Sequence, residues 1–121
     1  MSEGARTWLI PDAYIPSRTT GALPSHEAVC VLNTGGSDAR LELSFYFEDR
    51  DPITGVGINV PGKRTRHIRT DDPGALGGVE LPRGVPYAIR VNSDVPVTVQ
   101  YSRLDTSQEA LALMTTMGHP S

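Results

Sequence analysis

The stretch that most constrains this chain is residues 26–49. It reads His-Glu-Ala-Val-Cys-Val-Leu-Asn, then Thr-Gly-Gly-Ser-Asp, then Ala-Arg-Leu-Glu-Leu-Ser-Phe-Tyr-Phe-Glu-Asp. In its second half Leu41, Leu43, Phe45 and Phe47 alternate with Arg40, Glu42, Ser44 and Tyr46. A strand with one buried face produces that period of two. Residues 28–32 are apolar without a break, which reads as a strand covered on both faces. The connection at 34–38 joins adjacent glycines to short polar side chains, a composition suited to a turn that visits positive φ. The pattern predicts a β-hairpin at the centre of a sheet, with Cys30 as a small buried packing residue.

The remaining chain reads as more of the same material. A length of 121 residues fits one domain over 1–121, with residues 1–5 as a loose tail. Twelve glycines and ten prolines favour short strands joined by many turns over a helical bundle. Residues 6–10 form a strand candidate ended by Pro11, and residues 12–24 read as an irregular surface loop. Further strands are expected at 56–60 and 63–70, followed by a loop with one helical turn near 72–75. Tyr87, Ile89 and Val91, and then Val97, Val99 and Tyr101, alternate with other residues, which predicts a second hairpin around Ser93-Asp94. The tail has helix formers over 108–114 as well as a strand-like alternation. A strand over 111–117, antiparallel to 95–104, is the expected outcome because it covers a sandwich edge. Seven or eight short strands make an all-β fold, a single-domain antiparallel β-sandwich.

Charge and motifs exclude more than they identify. The formal net charge is −3, whereas a wholesale nucleic-acid binder is usually basic. The N-terminus lacks an apolar signal core, and no window approaches the roughly 18–20 apolar residues that span a membrane, so a soluble cytoplasmic protein is expected. A single cysteine allows no intramolecular disulfide. None of His26, His67 and His119 has metal-ligand spacing, and neither metal nor other cofactor is expected. Ser25-His26-Glu27 contains hydrolase residue types, but strand neighbours point to opposite faces and a Gly-x-Ser-x-Gly elbow is missing. The chain reads as a non-enzyme.

Three groups of residues are candidates for binding. Over residues 63–69, Arg64 and Arg66 share one strand face while Lys63, His67 and Arg69 share the other. They form either a charged edge that discourages aggregation or a contact for an anion or acidic partner. Glu42, Glu48 and Asp49 are alternative partners for the two arginines. Gln100, Arg103, Asp105 and Gln108 make a polar cluster, read either as an Arg103–Asp105 pair bracing a turn or as a ligand pocket or subunit contact. Trp8 and Tyr14 are either core anchors or an aromatic platform for a partner or a sugar.

Several pieces, in order and spread over nearly the whole chain, resemble the sensory rhodopsin transducer family. They are Arg6-Thr7 with Trp8, Tyr14-Ile15-Pro16, Ser25-His26-Glu27 with Val29-Cys30, Leu32-Asn33 and Gly35. Further along come Val60-Pro61, Arg64-Thr65 with His67 and Arg69, Ser93 with Val95-Pro96, Val99-Gln100, and Arg103-Leu104-Asp105 with Gln108. The resemblance implies a β-sandwich subunit of a homo-oligomer, a tetramer, acting by binding beside a membrane photoreceptor or other receptor. It places His26, Glu27 and Asn33 at the polar ends of a buried strand, where a subunit contact or pocket is expected. A carbohydrate- or small-metabolite-binding sandwich using Trp8, Tyr14 and the 100–108 cluster is the alternative. A DNA-associated regulator using residues 63–69 is a third.

Overall fold

The computed structural model describes residues 3–17, 25–106 and 112–121. Eight strands follow one another as β1 (Ala5–Ala13), β2 (His26–Asn33), β3 (Ala39–Phe47), β4 (Ile53–Val60), β5 (Arg64–Arg69), β6 (Tyr87–Asp105), β7 (Ala112–Met117) and β8 (His119–Pro120). A 3-10 turn over Pro73–Leu76 is the one helical element among the described residues, capped by the Asp72 carboxylate accepting from Gly74 N. All strand pairings are antiparallel. The all-β class and the helical turn match the sequence reading.

One strand organises the rest. β6 is nineteen residues long, and its first half pairs with β3 and β1, giving the order β4-β3-β6-β1-β8. Its second half pairs with β2 and β7, and β2 carries β5 on its other side. Tyr87, Ile89, Val91, Val97, Val99 and Tyr101 are all buried, so one parity faces the core along the whole strand. The two layers meet over a common core that includes Val29 and Val31 of β2, Ile68 of β5, Leu43 and Phe45 of β3, and Val60 of β4.

This arrangement corrects both expected hairpins. β2 and β3 are neighbours in sequence but not in hydrogen bonding, because β2 pairs with β5 and β6 while β3 pairs with β4 and β6. The 34–38 connection is a corner between layers, and each strand turns its apolar face to the same core from opposite sides. Ser93-Asp94 is likewise not a turn. It lies within β6, where the strand passes from one layer to the other. There Asp94 Oδ1 accepts from Arg40 N at 2.8 Å and Ser93 Oγ accepts from Val95 N at 3.3 Å.

Other boundaries shift for local reasons. β1 runs on through Pro11, and a register irregularity between Ile10 and Ala13 accommodates the residue that has no N–H to donate. Residues 12 and 13 therefore belong to a strand, as does Ala5, which was expected in the tail. Residues 18–24 of the expected loop lie outside the described residues. The strand expected over 111–117 is present as β7, in register from Asp105↔Ala112 to Gln100↔Met117. The apolar run 28–32 is fully covered on one face and less and less along the other, where Ala28 is buried and Cys30 part-buried. Val29 and Val31 are fully buried, whereas Leu32 on the opposite face is 45% exposed.

Candidate functional site

Alternation along two strands carries polar groups into one end of the core. On β2, Glu27 has the parity of Val29, Val31 and Asn33, and all four side chains are fully buried. On β6, Arg103 continues the inward parity of Val99 and Tyr101 and stands directly opposite Glu27 in the β2–β6 register. The Glu27 carboxylate accepts from Tyr87 OH at 2.5 Å, from Tyr14 N at 2.9 Å and from Arg103 Nε at 3.4 Å. Tyr101 OH accepts from Arg103 Nε at 3.1 Å. The guanidinium also lies 5.8 Å from the ring centres of Tyr14 and Tyr101, within range of a cation–π contact.

Burial raises the Glu27 carboxyl above its ordinary value, only partly opposed by the Tyr87 hydroxyl, the Tyr14 amide and the Arg103 charge. The same low-dielectric site, together with the adjacent carboxylate, pushes the Tyr87 hydroxyl far upward and keeps it a donor. Tyr87 OH is also 3.2 Å from Thr70 Oγ1, and Thr70 N donates to Glu27 O at 3.2 Å. Glu27, through its carboxylate and its backbone carbonyl, thus ties together β2, β6 and the residues that follow β1 and β5. Arg103 Nη2 is buried without a hydrogen bond, and Asp12 Oδ1 lies 3.9 Å from it.

A second layer of ion pairs rims this end. Arg69 donates both Nε and Nη2 to the Asp71 carboxylate at 2.7 Å each. Burial pushes Asp71 upward, but the Arg69 bonds and charge outweigh it and hold the carboxyl low. Arg83 Nη1 donates to Pro16 O at 3.1 Å and Ser25 O at 3.0 Å, pinning the chain before β2. Ser25 Oγ accepts from Thr106 N at 2.8 Å and lies 3.0 Å from Thr106 Oγ1. A surface cleft of about 480 Å³ opens beside these groups, lined by Ile15, Arg50, Asp71, Glu80 and Arg83 among others.

The family model for the Anabaena sensory rhodopsin transducer matches residues 3–120. The chain belongs to the sensory rhodopsin transducer family. Among solved structures it is similar to the crystal structure of Thermotoga maritima 1070, with 38% identity, a TM-score of 0.88, and coverage of 99% of this chain and 97% of that one. It is also similar to the Anabaena sensory rhodopsin transducer, with 37% identity, a TM-score of 0.76, and coverage of 90% and 96%. No curated protein matches the chain.

The residues that carried the transducer-family resemblance fall into separate places. Tyr14, Glu27 and Arg103 meet in the buried cluster, with His26 beside it on the outward face of β2, opposite Leu104. Asn33 marks the other end of β2. Its Nδ2 donates to Ser37 O at 2.9 Å and Val60 O at 3.1 Å, and its Oδ1 accepts from Gly35 N at 3.1 Å. Those bonds fasten the corner between the layers. Trp8 is 5% exposed, and its indole N–H lies 2.9 Å from Val97 O and 3.1 Å from Ala5 O. It is a core anchor and offers no face to a sugar.

Arg64, Arg66 and His67 lie on β5, away from the cluster. Glu42, Glu48 and Asp49 were the alternative partners for the two arginines. Instead Arg64 Nη1 donates to Lys63 O at 3.0 Å and Arg66 Nη1 to Asn59 O at 2.8 Å. His67 stands opposite Cys30. Gln100 faces outward between Cys30 and Met117, Asp105 closes β6 opposite Ala112, and Gln108 lies outside the described residues. Sequence reasoning missed Tyr87, Tyr101, Thr70, Asp12 and Asp71. The two tyrosines had a usable signal, since they share the inward parity of their neighbours while each carries a hydroxyl that must be satisfied when buried.

Proposed function

We propose that this chain is a non-catalytic transducer module that works by binding, as a homotetramer at the cytoplasmic side of a membrane receptor of the rhodopsin kind. The observation that carries the reading is the family match across residues 3–120, supported by the likeness to the Anabaena sensory rhodopsin transducer at 37% identity. Assembly with further copies is supported by the outward face of the β5-β2-β6-β7 layer. Leu32 is 45%, Leu113 72% and Met117 53% exposed there, beside Cys30, which is only part-buried. Exposed Leu and Met side chains gathered on one sheet face suit an interaction surface, and an uninterrupted apolar strand reads as one covered on both faces.

A ligand-sensing role fits the same end of the fold that holds Glu27. The cleft beside it carries Arg50, Asp71, Glu80 and Arg83, charged groups that suit a small polar metabolite better than an apolar one.

Affinity capture from detergent-solubilised membranes of the native cells tests the principal reading. Co-purification of a retinal-bearing receptor, seen by its visible absorbance, supports it. Recovery of no receptor, together with no thermal shift across a panel of polar metabolites, contradicts it.

A further inference from the structure

We propose that the free edge of β5 is a docking strand for an acidic peptide in extended conformation, with Lys63, Arg64 and Arg66 meeting its carboxylates. The inference takes the binding-module reading as its premise and names the chemistry of one partner. Among the described residues β5 hydrogen-bonds to β2 alone, which leaves its other edge as a template for a further strand.

The charge on that edge is unbalanced. Residues 52–70 contain no Asp or Glu, while residues 63–69 hold Lys63, Arg64, Arg66 and Arg69, four of the chain's eleven Lys and Arg. Arg69 is neutralised by Asp71. No ion pair of Lys63, Arg64 or Arg66 is found among the described residues, and both arginines donate to backbone carbonyls instead. Asp38, at the nearby corner, takes Gly62 N at 3.2 Å and Asn59 Nδ2 at 3.4 Å rather than a cation.

The start of the edge is also held in place. Lys63 has φ 56, uncommon for a residue with a side chain, and its N–H donates to Gly35 O at 2.9 Å. That bond fixes the direction in which the strand leaves its turn.

One consideration favours a peptide over a nucleic acid: the unpaired N–H and C=O groups of an edge strand find their natural complement in another backbone. The same cations deter apolar strands and second copies of β5, so the edge selects by repulsion as well as attraction.

The probe is a short fluorescent peptide alternating Glu with Thr and Val, titrated with the full chain and read by anisotropy. Saturable binding is expected at low salt, weakening as salt rises. The double variant Lys63→Asn/Arg64→Glu should bind about tenfold more weakly or worse, the order expected for removing close charge pairs, with an unchanged circular dichroism spectrum. Asn is chosen because it tolerates the left-handed conformation. Alternate N-methylation of the peptide should abolish binding, since it removes backbone donors and keeps the charges. The inference is overturned by no binding, by equal affinity for the double variant or the methylated peptide, or by a single-stranded oligonucleotide binding as tightly as the peptide. A negative result here leaves receptor capture free to succeed, so the two readings fail separately.

Discussion

Replacing Tyr87 by Phe isolates one hydroxyl of the buried cluster. The ring stays where it packs, 6.1 Å from Phe45 and 6.3 Å from Phe47 between ring centres. What is lost is the 2.5 Å bond to Glu27 Oε1 and the 3.2 Å contact with Thr70 Oγ1. A hydrogen bond to a charged group contributes about 1.5–3 kcal/mol and one between neutral groups about 0.5–1.5 kcal/mol. The cost therefore depends on whether Glu27 is ionised.

Burial already holds the Glu27 carboxyl above its ordinary 4.5, and the Tyr87 bond is the largest influence pulling it back down. Removing that bond raises it further. A carboxyl raised in the folded state contributes stability fully below its unfolded value and loses it as pH rises through the folded value. The variant, with the higher folded value, loses more. Urea unfolding across pH should show a small deficit of about 1 kcal/mol below pH 4.5. The deficit should grow to about 2–3 kcal/mol above the raised value and then level off. A deficit that is flat with pH, or that shrinks as pH rises, would refute the reasoning.

Three further substitutions probe the scaffold. Trp8→Phe should keep most of the packing but remove the indole bonds to the Val97 and Ala5 carbonyls, costing about 1–3 kcal/mol in denaturant unfolding. Asp71→Asn should cost about 1 kcal/mol at neutral pH, discounted because Arg69 is 42% exposed. Asp71 titrates below 3.8, so its contribution is present above that value and lost as pH falls through the lowered one; the gap to wild type should close in acid. Gly62→Ala would set a Cβ 2.6 Å from Gly36 O, and relieving that backbone clash should lower the melting temperature, for about 1–3 kcal/mol of strain.

Much of the architecture was legible because alternation is a local signal. Leu41, Leu43 and Phe45 are buried as their period of two requires, whereas the pattern of the tail suited helix and strand alike and only the need to cover a sheet edge favoured the strand. Pairing was less legible. Nearness in sequence favours a hairpin between β2 and β3, yet a five-residue connection serves equally well as a corner when both strands face one core. Ser93-Asp94 has turn chemistry, but a strand passing between layers needs the same residues for a bend. In the cluster, Glu27 and Arg103 lie 76 residues apart. Their inward parity could be read from Val29, Val31, Val99 and Tyr101, but the register that sets them opposite each other is a property of the fold. Trp8 shows the converse, since its burial follows from β1's alternation while its carbonyl partners could not be foreseen.

The most direct test of a module that works by self-association is its mass in solution by light scattering. A homotetramer predicts four times the chain mass at micromolar concentration, falling when Leu32→Glu sets a charge in the exposed apolar face of β2. A wild-type mass equal to one chain across that range would contradict the account.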